Sequence, residues 1–519
     1  MIPSIFNDVI GPVMRGPSSS HCAAALRIGR LARDLMGGDL GEVVVEFDPG
    51  GSLATTHASQ GSDMGLCGGL MGWEATDERL PGSVEALGAS GIAICIRLAD
   101  LEVTHPNTYS LTLSGADDRH TMTAISTGGG MIDVVDIDGF SVSIAGDFYE
   151  TLLYAEADGP VIADCLADNM ASDEIKLHQA GDSWLAEVKG QAFVDDSVLS
   201  EMEGRFSISS VKRLSPVLPV LSRAGVGVPF ATCGQMLEFK GNRDLALWQL
   251  AVAYESARGN LSEQHVVERM MQIVQILRHS VRQGLAGTDY RDRILGYQSG
   301  SFAQRLKDRS LLNAGVLNGI ILYVTAVMEV KSSMGVIVAA PTAGACGALP
   351  GACLAVCDEL GLGDEEAAKA MLAGGMIGIF IATGSTFAAE VAGCQAECGA
   401  ASGMAAAALV TMGGGTSEQA VAAASMALQN TMGMVCDPVA NRVEVPCLGK
   451  NVMAASNALA CANMALGGYD PVIPLDEVIE AMDRVGRSLP HELRCTALGG
   501  LSVTRTSKAI EAKLKERPS

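Results

Sequence analysis

Residues 370–389 read AMLAGGMIGIFIATGSTFAA, twenty positions without a charge. The run is long enough to cross a bilayer, so its reading decides whether the second half of the chain is membrane-embedded or a packed helical core. Glycines interrupt it, Thr383, Ser385 and Thr386 add hydroxyls, and Glu390 ends it. The next uncharged stretch, 398–417, is mostly alanine and glycine and only modestly hydrophobic. Both read better as buried core helices of one large domain than as spans. Small residues let backbones approach closely, and the 60 glycines stand against only 3 Trp, 8 Tyr and 11 Phe.

Working outward, the chain from residue 216 onward reads as helix after helix. Residues 262–284 are periodic and finish in a glycine that suits a C-cap. Thr416 and Gln419 have capping-box spacing before AVAAASMALQN, and Leu475, Val478, Ile479, Met482 and Val485 form one apolar stripe. The first 147 residues mix the two element types. AAALRIGRLARDLM (23–36) is an apolar-periodic helix, EVVVEF (42–47) a strand, and HTMTAIST with MIDVVDID a hairpin turned on Gly128, Gly129 and Gly130. Residues 148–215 alternate strand-like and helix-like runs, a small α+β module of their own. The fold class expected is multidomain α+β: a mixed α/β domain over 1–147, the small module over 148–215 and an all-helical domain over 216–519.

The chain has 519 residues, with 36 Lys and Arg against 59 Asp and Glu, a formal charge of −23. Such a balance argues against nucleic acid or an anionic membrane surface as partner, since both need clustered positive charge. The start, MIPSIFNDVIGPVMR, lacks the basic-then-apolar pattern of a secretory signal. A cytoplasmic location follows as the expectation, with the fourteen cysteines kept as thiols.

Three cysteines stand in unusual company: Cys394 in GCQAE, Cys436 in CDP and Cys447 in VPC. Cys436 and Cys447 flank DPVANRVEVP, whose prolines rule out an uninterrupted helix. Three thiolates on loops or helix ends suit a metal centre, and three on an iron–sulfur cluster leave one iron open for Lewis-acid chemistry. Plain core filling is the competing reading of any cysteine, and it suits Cys233, Cys346, Cys353, Cys357 and Cys461. Zinc stays open too, although no CxxC pair occurs and the C-x3-C of Cys394 and Cys398 is isolated. A second feature, GPSSSH at 16–21, leads into the first helix. Its hydroxyls and free amides suit a carboxylate or phosphate, while the bland reading makes Ser20 a helix cap. GSLATTHASQGSDMG (51–65) and APTAGACGALPG (340–351) share this polar, glycine-rich character. There is no Walker loop, no G-x-S-x-G elbow and no G-x-G-x-x-G after a strand.

Together these segments resemble the iron–sulfur-dependent L-serine dehydratases, over nearly the whole chain. IGPVMRGPSSSH, VAAPTAGACGALPG, AGCQAECGAASGMAAAALV, VCDPVANRVEVPC and LRCTALGGLSVT follow the family's order. The chain looks like the family's N-terminal and catalytic parts joined in one polypeptide, with 148–215 similar to its ACT-like segment. The resemblance implies a [4Fe-4S] cluster on Cys394, Cys436 and Cys447 with one iron lacking a protein thiolate. It implies conversion of L-serine to pyruvate and ammonia, a step in amino-acid metabolism that feeds gluconeogenesis. Ser18, Ser19, Ser20, His21 and Thr342 are the residues expected to bind the amino acid, and His21 and His57 those expected to move protons. A homo-oligomer, in particular a dimer, is the expected assembly. Departures from the pattern are Cys22 for a threonine, Gln60 where relatives carry a histidine, and Lys331-Ser332 for Asn-Ala. The C-terminal cysteine with which some relatives reach the cluster is absent from TRTSKAIEAKLKERPS. A degraded AspGlyPro at 158–160 favours a structural role for the ACT-like segment. Two further readings stay open: the same chemistry on another small β-hydroxy acid or amino acid, and a non-catalytic metal- or redox-sensing protein.

Overall fold

The computed structural model describes residues 2–101 and 105–515. Ser4 caps a single π-helical turn, Ile5–Val9, by accepting from the Phe6 and Asn7 amides, and the short strand β1 (Val13–Arg15) follows. The chain then parts into two compact units, Ser20–Val226 on one hand and Met1–Ser19 with Gly227–Ser519 on the other.

Within Ser20–Val226, six strands form the larger sheet: β2 (Glu42–Phe47), β3 (Ala93–Leu98), β4 (Thr108–Ser114), β5 (Arg119–Gly128), β6 (Met131–Ile137) and β7 (Phe140–Ile144). Their order is β3-β2-β4-β5-β6-β7, with only β2 and β3 parallel. Alternation decides which side chains go in: Val43, Val45 and Phe47 of EVVVEF are buried with Ile28, Leu31 and Leu35 of the helix Ala24–Leu35. The expected hairpin is β5–β6, turned on three glycines with positive φ. The helix is not capped by Ser20; a π-helical turn, Ser19–Ala23, feeds it, and its N-cap residue Ala23 has no side-chain bond to give.

A second sheet takes β8 (Tyr149–Ala155), β9 (Glu174–Ala180), β10 (Ser183–Gly190) and β11 (Ile208–Leu214) in the antiparallel order β11-β8-β10-β9. With helices Gly159–Asn169 and Asp196–Arg205 it makes the β-α-β-β-α-β arrangement of ferredoxin-like modules. One face packs Leu153 and Ala186 against Ile162, Leu166, Leu199 and Met202. The other face sends Leu152, Leu185 and Leu214 into the core of the larger sheet. β9 (EIKLHQA) is a strand of this sheet that the sequence reading missed, and its residues are half-buried or exposed.

In the other unit, the 370–389 stretch lies largely in the helix Asp364–Gly384, packed against Leu247–Gly259, Glu263–Ala286 and Ala400–Met412. It is the one helix among the described residues long and apolar enough to cross a membrane, and 78% of its apolar window is buried inside the protein. Its glycines are contact points. A Cβ at Gly375 would lie 2.8 Å from Ile5 Cγ2, and one at Gly378 would overlap Val9, so the N-terminal turn seats on a glycine face. Gly284 is likewise not the C-cap expected of it. Helix Glu263–Ala286 runs past it to Gly287, and at Gly284 the Ala326 backbone of helix Val316–Lys331 comes too close for a side chain. The capping box at Thr416 and Gln419 forms as read. Leu475, Val478, Ile479 and Met482 are buried, with Val485 half-buried at the stripe's end. One ribbon departs from an all-helical reading: β12 (Val336–Val338) pairs antiparallel with β1, Val13 opposite Val338.

Candidate metal centre

Cys394 stands at the entry of a π-helical turn, Gln395–Gly399, that runs directly into helix Ala400–Met412. Gly393 before it has φ +71°, and a Cβ there would lie 2.8 Å from the Met434 carbonyl oxygen, so this bend requires glycine. Gln395 then ties the turn to its surroundings. Its backbone N–H donates to the Met434 carbonyl at 3.0 Å, its side-chain oxygen accepts from the Gly433 amide at 2.8 Å, and its NH2 donates to the Met482 carbonyl at 2.7 Å. Those bonds hold Cys394 against the strand-like segment that carries Cys436.

The prolines of DPVANRVEVP do what the sequence required. The segment makes only a short 3-10 turn, Val439–Asn441, in which Ala440 and Asn441 adopt left-handed backbone at φ 49° and 54°. Helix Cys447–Leu466 starts on Cys447 itself. Residues near the C-terminus clasp this loop: Leu501 N–H donates to Asp437 at 3.0 Å, Ser502 Oγ donates to the Pro438 carbonyl at 2.7 Å, and Ser507 Oγ accepts from Ala440 N–H at 2.9 Å.

The pocket so formed brings Cys394, Cys436 and Glu397 together, their ligand atoms all within 4.8 Å of one another. Cys394, Cys436 and Cys447 are 2, 3 and 5% exposed. Cys447 lies outside that close trio, one helix start away. Hydrogen bonds from the Cys398 and Cys436 thiols hold the Cys394 thiol well below its ordinary value. Burial pushes Cys447 up, with the Cys394 charge adding to it. Burial, then the Cys394 charge, raises the half-buried Glu397 carboxyl to about 8, although Thr342 Oγ1 donates to it at 2.6 Å. Two lysines supply opposite charge. Lys450 Nζ donates to the Val435 carbonyl at 2.7 Å and pairs with Asp437 at 2.8 Å; burial opposes its charge, but Cys394 and Asp437 outweigh burial and keep it protonated. Lys331, fully buried, donates to the Val443 carbonyl.

Asn451 completes the frame and was not legible in the sequence. Fully buried, it donates to the Gly344 and Cys447 carbonyls at 2.8 and 2.9 Å and to Cys398 Sγ at 3.6 Å, and accepts from the Gly347 and Ala348 amides. Through it the 342–348 segment, with Thr342, is fixed to the helix that begins at Cys447. Cys398 is buried among Ala345, Ala348, Ala401 and Ala454. Cys233, Cys346, Cys353, Cys357 and Cys461 are buried thiols in the helical core.

His21 and His57 belong to Ser20–Val226. Helices Ala24–Leu35 and Ser62–Leu70 cross at glycines, where a Cβ at Gly69 would lie 2.9 Å from Gly29 Cα, and the loop before the second helix carries His57. His57 Nδ1 bonds Asp63 Oδ1 at 2.7 Å; this bond, against the pull of burial, raises the imidazole pKa above 6.5. His21 is buried, and burial followed by the nearby His57 charge lowers it to about 4, leaving it neutral at pH 7. Thr56 Oγ1 spends its hydrogen on the Ser52 carbonyl, so His21 Nε2 must be the donor in its 2.9 Å bond to Thr56. Ser18 and Ser20 are half-buried and Ser19 is buried; the boundary between the units falls between Ser19 and Ser20.

Soft sulfur donors with a carboxylate, flanked by two ammonium groups inside a helical unit, define a metal-capable protein. Residues 242–502 match the family model for the serine dehydratase alpha chain, and the chain belongs to that family. It is 35% identical over 285 residues to the probable L-serine dehydratase alpha chain of Bacillus subtilis, covering 55% of this chain and 95% of that one. The probable beta chain of the same organism is 35% identical over 219 residues, 41% of this chain and 98% of that one. The L-serine dehydratase of Streptomyces coelicolor is 28% identical over 507 residues, 94% of this chain and 96% of that one.

Proposed function

We infer that the chain is an L-serine dehydratase, releasing ammonia and leaving pyruvate, with an iron–sulfur centre held by its buried thiols. The observation that carries this is the thiol pocket itself, in a chain that belongs to the serine dehydratase family. The donor set suits such a centre: cysteine thiolates are what iron–sulfur clusters take, and Lys331 and Lys450 offset the negative charge gathered there. Cys394, Cys436 and Cys447 are the ligands in this reading, and the cluster is [4Fe-4S]. When bound, it supplies Lewis-acid iron that draws charge from the substrate carboxylate and leaving hydroxyl.

The remaining roles fall to the protein. Ser18, Ser19, Ser20, His21 and Thr342 bind the amino acid. His21, neutral and donating through Nε2, acts as a fixed hydrogen-bonding group rather than an acid. His57 takes the α-proton at Nε2, since Asp63 holds its Nδ1–H and fixes the tautomer. Asp63 is the positioning residue that the sequence reading missed. Loss of the β-hydroxyl as water leaves an aminoacrylate, whose imine form hydrolyses to pyruvate and ammonia.

The domain scheme 1–147, 148–215 and 216–519 goes with this reading, the middle part being ACT-like. A structural role for it is supported by Trp184, whose ring lies against Gly159, 2.5 Å from where a Cβ would be. All fourteen cysteines are free thiols, in keeping with a reducing cytoplasm, and the assembly we propose is a homodimer. Anaerobic purification followed by iron analysis and an assay of pyruvate and ammonia from L-serine tests the whole. Brown, air-sensitive protein that turns over L-serine is expected. Colourless, zinc-loaded protein without ammonia release refutes it, and release from a different hydroxy amino acid alone refutes the substrate.

A further inference from the structure

Two lysines among the described residues are buried, and their charges are answered in different ways. Lys189, 6% exposed, has Glu187 at 3.1 Å and Glu150 at 3.8 Å. Lys331, at 0%, has no carboxylate oxygen within 4.0 Å among the described residues, and its one hydrogen bond there is to the Val443 carbonyl. Nor can it swing out to water. It is the last residue of helix Val316–Lys331, and a Cβ at Gly16 would overlap its carbonyl oxygen, so the N-terminal segment lies directly on its backbone. The neighbouring carboxylates are committed to other donors. Glu444 accepts from the Ile294 and Leu295 amides at 2.9 and 2.8 Å, and Glu397 from Thr342 Oγ1 at 2.6 Å. The ammonium nevertheless acts on the thiol pocket: burial raises Cys447, Glu397 and Glu444, and the Lys331 charge works against that rise in each.

A buried ammonium without a counter-charge loses hydration that one hydrogen bond does not make good. In a chain that closes around a metal centre, the opposite charge can arrive with the centre. Three thiolates outweigh the positive charge of an oxidised four-iron core, so the whole is a buried anion. We propose that Lys331 is the counter-ion of the loaded centre, unanswered in the iron-free chain and holding the reduction potential of the cluster up once it is bound. This rests on the cluster reading above and deepens it. Closed off from solvent, Lys331 touches no substrate; it is a positioning residue whose charge acts through the centre, where net charge is one of the levers on potential. Lys450 stands differently, since Asp437 at 2.8 Å already answers its charge.

Two variants separate the charge from the hydrogen bond. Lys331→Gln removes the charge and keeps an N–H donor for the Val443 carbonyl, whereas Lys331→Met removes both at nearly constant shape. The full-length protein is reconstituted anaerobically with iron and sulfide and titrated with dithionite, the reduced cluster being followed by EPR. Both variants should be harder to reduce than wild type, by at least about tenfold in the one-electron equilibrium, or about 59 mV. Thermal unfolding of the full-length protein stripped of iron should show the opposite sign: Lys331→Gln melts at or above wild type, because the unanswered charge is gone. Variants that fail to retain iron while iron-free Lys331→Gln melts at or above wild type also support the counter-ion role. Potentials equal to wild type in both variants, a shift in Lys331→Met alone, or iron-free Lys331→Gln melting below wild type each overturn this proposal and leave the cluster reading standing. A wild-type chain that binds no iron takes down the cluster reading with it.

Discussion

The thiol pocket of the helical unit and the histidine pair of the β-rich unit are built on opposite plans. Around the thiols, polar side chains that never touch solvent join stretches far apart in sequence: Gln395 to Met482, Asn451 to Gly344, Ser507 to Ala440. Around His57 the bonds are mostly local, His57 to Asp63 six residues on and Thr56 to Ser52 four residues back, although His21 reaches 35 positions along the chain to Thr56. A site knitted from distant segments fails as a unit when one tie is cut, whereas a local one can be retuned without unfolding anything. The first plan suits holding a charged centre in a fixed shape. The second suits setting the proton affinity of one ring.

Cutting at the centre should have the largest effect. Cys394→Ser should abolish bound iron and pyruvate formation while the far-ultraviolet circular dichroism stays that of wild type, since the change removes one sulfur and no volume to speak of. Iron retained at wild-type level would break the comparison at its strongest point. Next comes Asn451→Ala, which strands buried amides and carbonyls at once. With each buried group left unsatisfied worth about 1–3 kcal/mol, the helical unit should lose roughly 3 kcal/mol or more in denaturant unfolding. Gly378→Ala probes the same unit away from the pocket. The new methyl overlaps Val9, and overpacking of this kind costs about 1–3 kcal/mol, read as a lower unfolding midpoint.

The histidine side should respond more gently and through pH. Asp63→Ala removes the bond that raises the His57 pKa but leaves the burial that lowers it, so the titration midpoint followed by NMR should fall below 6.5 with iron content unchanged. The sign of the stability effect follows. A folded pKa raised above the unfolded one contributes stability fully below pH 6.5 and loses it as pH rises through the folded value, so wild type and variant should differ most in acid and converge above neutrality. An unchanged midpoint would mean that Asp63 does not govern the ring. Smallest of all, Ser20→Ala should alter stability by less than about 0.5 kcal/mol, because the helix Ala24–Leu35 takes no side-chain cap from it.

What the sequence reveals divides along the same line. The bends at Cys394, Cys436 and Cys447 are legible because prolines and glycines stand beside them, and bends are local. EVVVEF and the glycine-turned hairpin are legible because alternation is local too. Gln395 and Asn451 are not, for an amide in an apolar segment carries no sign of which distant partner it will meet; Asp63 is not either, for a carboxyl six residues on carries no sign that the turn between the two brings it onto His57. Lys331 is like the two amides, since its acceptor, the Val443 carbonyl, lies 112 positions away. Gly284 misleads in the opposite sense, a glycine at a plausible helix end whose real work is to let the helix Val316–Lys331 approach.

The seating of Ile5 and Val9 on Gly375 and Gly378 sets an order of events during synthesis. This turn leaves the ribosome some 370 residues before the glycine face it occupies. At the ~5–20 residues per second of translation, that is a wait of roughly 20–75 seconds for an apolar segment with nowhere to bind. The Cys436 loop waits in its turn for Ser502 and Ser507. Assembly of this unit therefore waits on residues as far along as Ser507, and iron delivered to a shorter nascent chain would find thiols but no closed pocket.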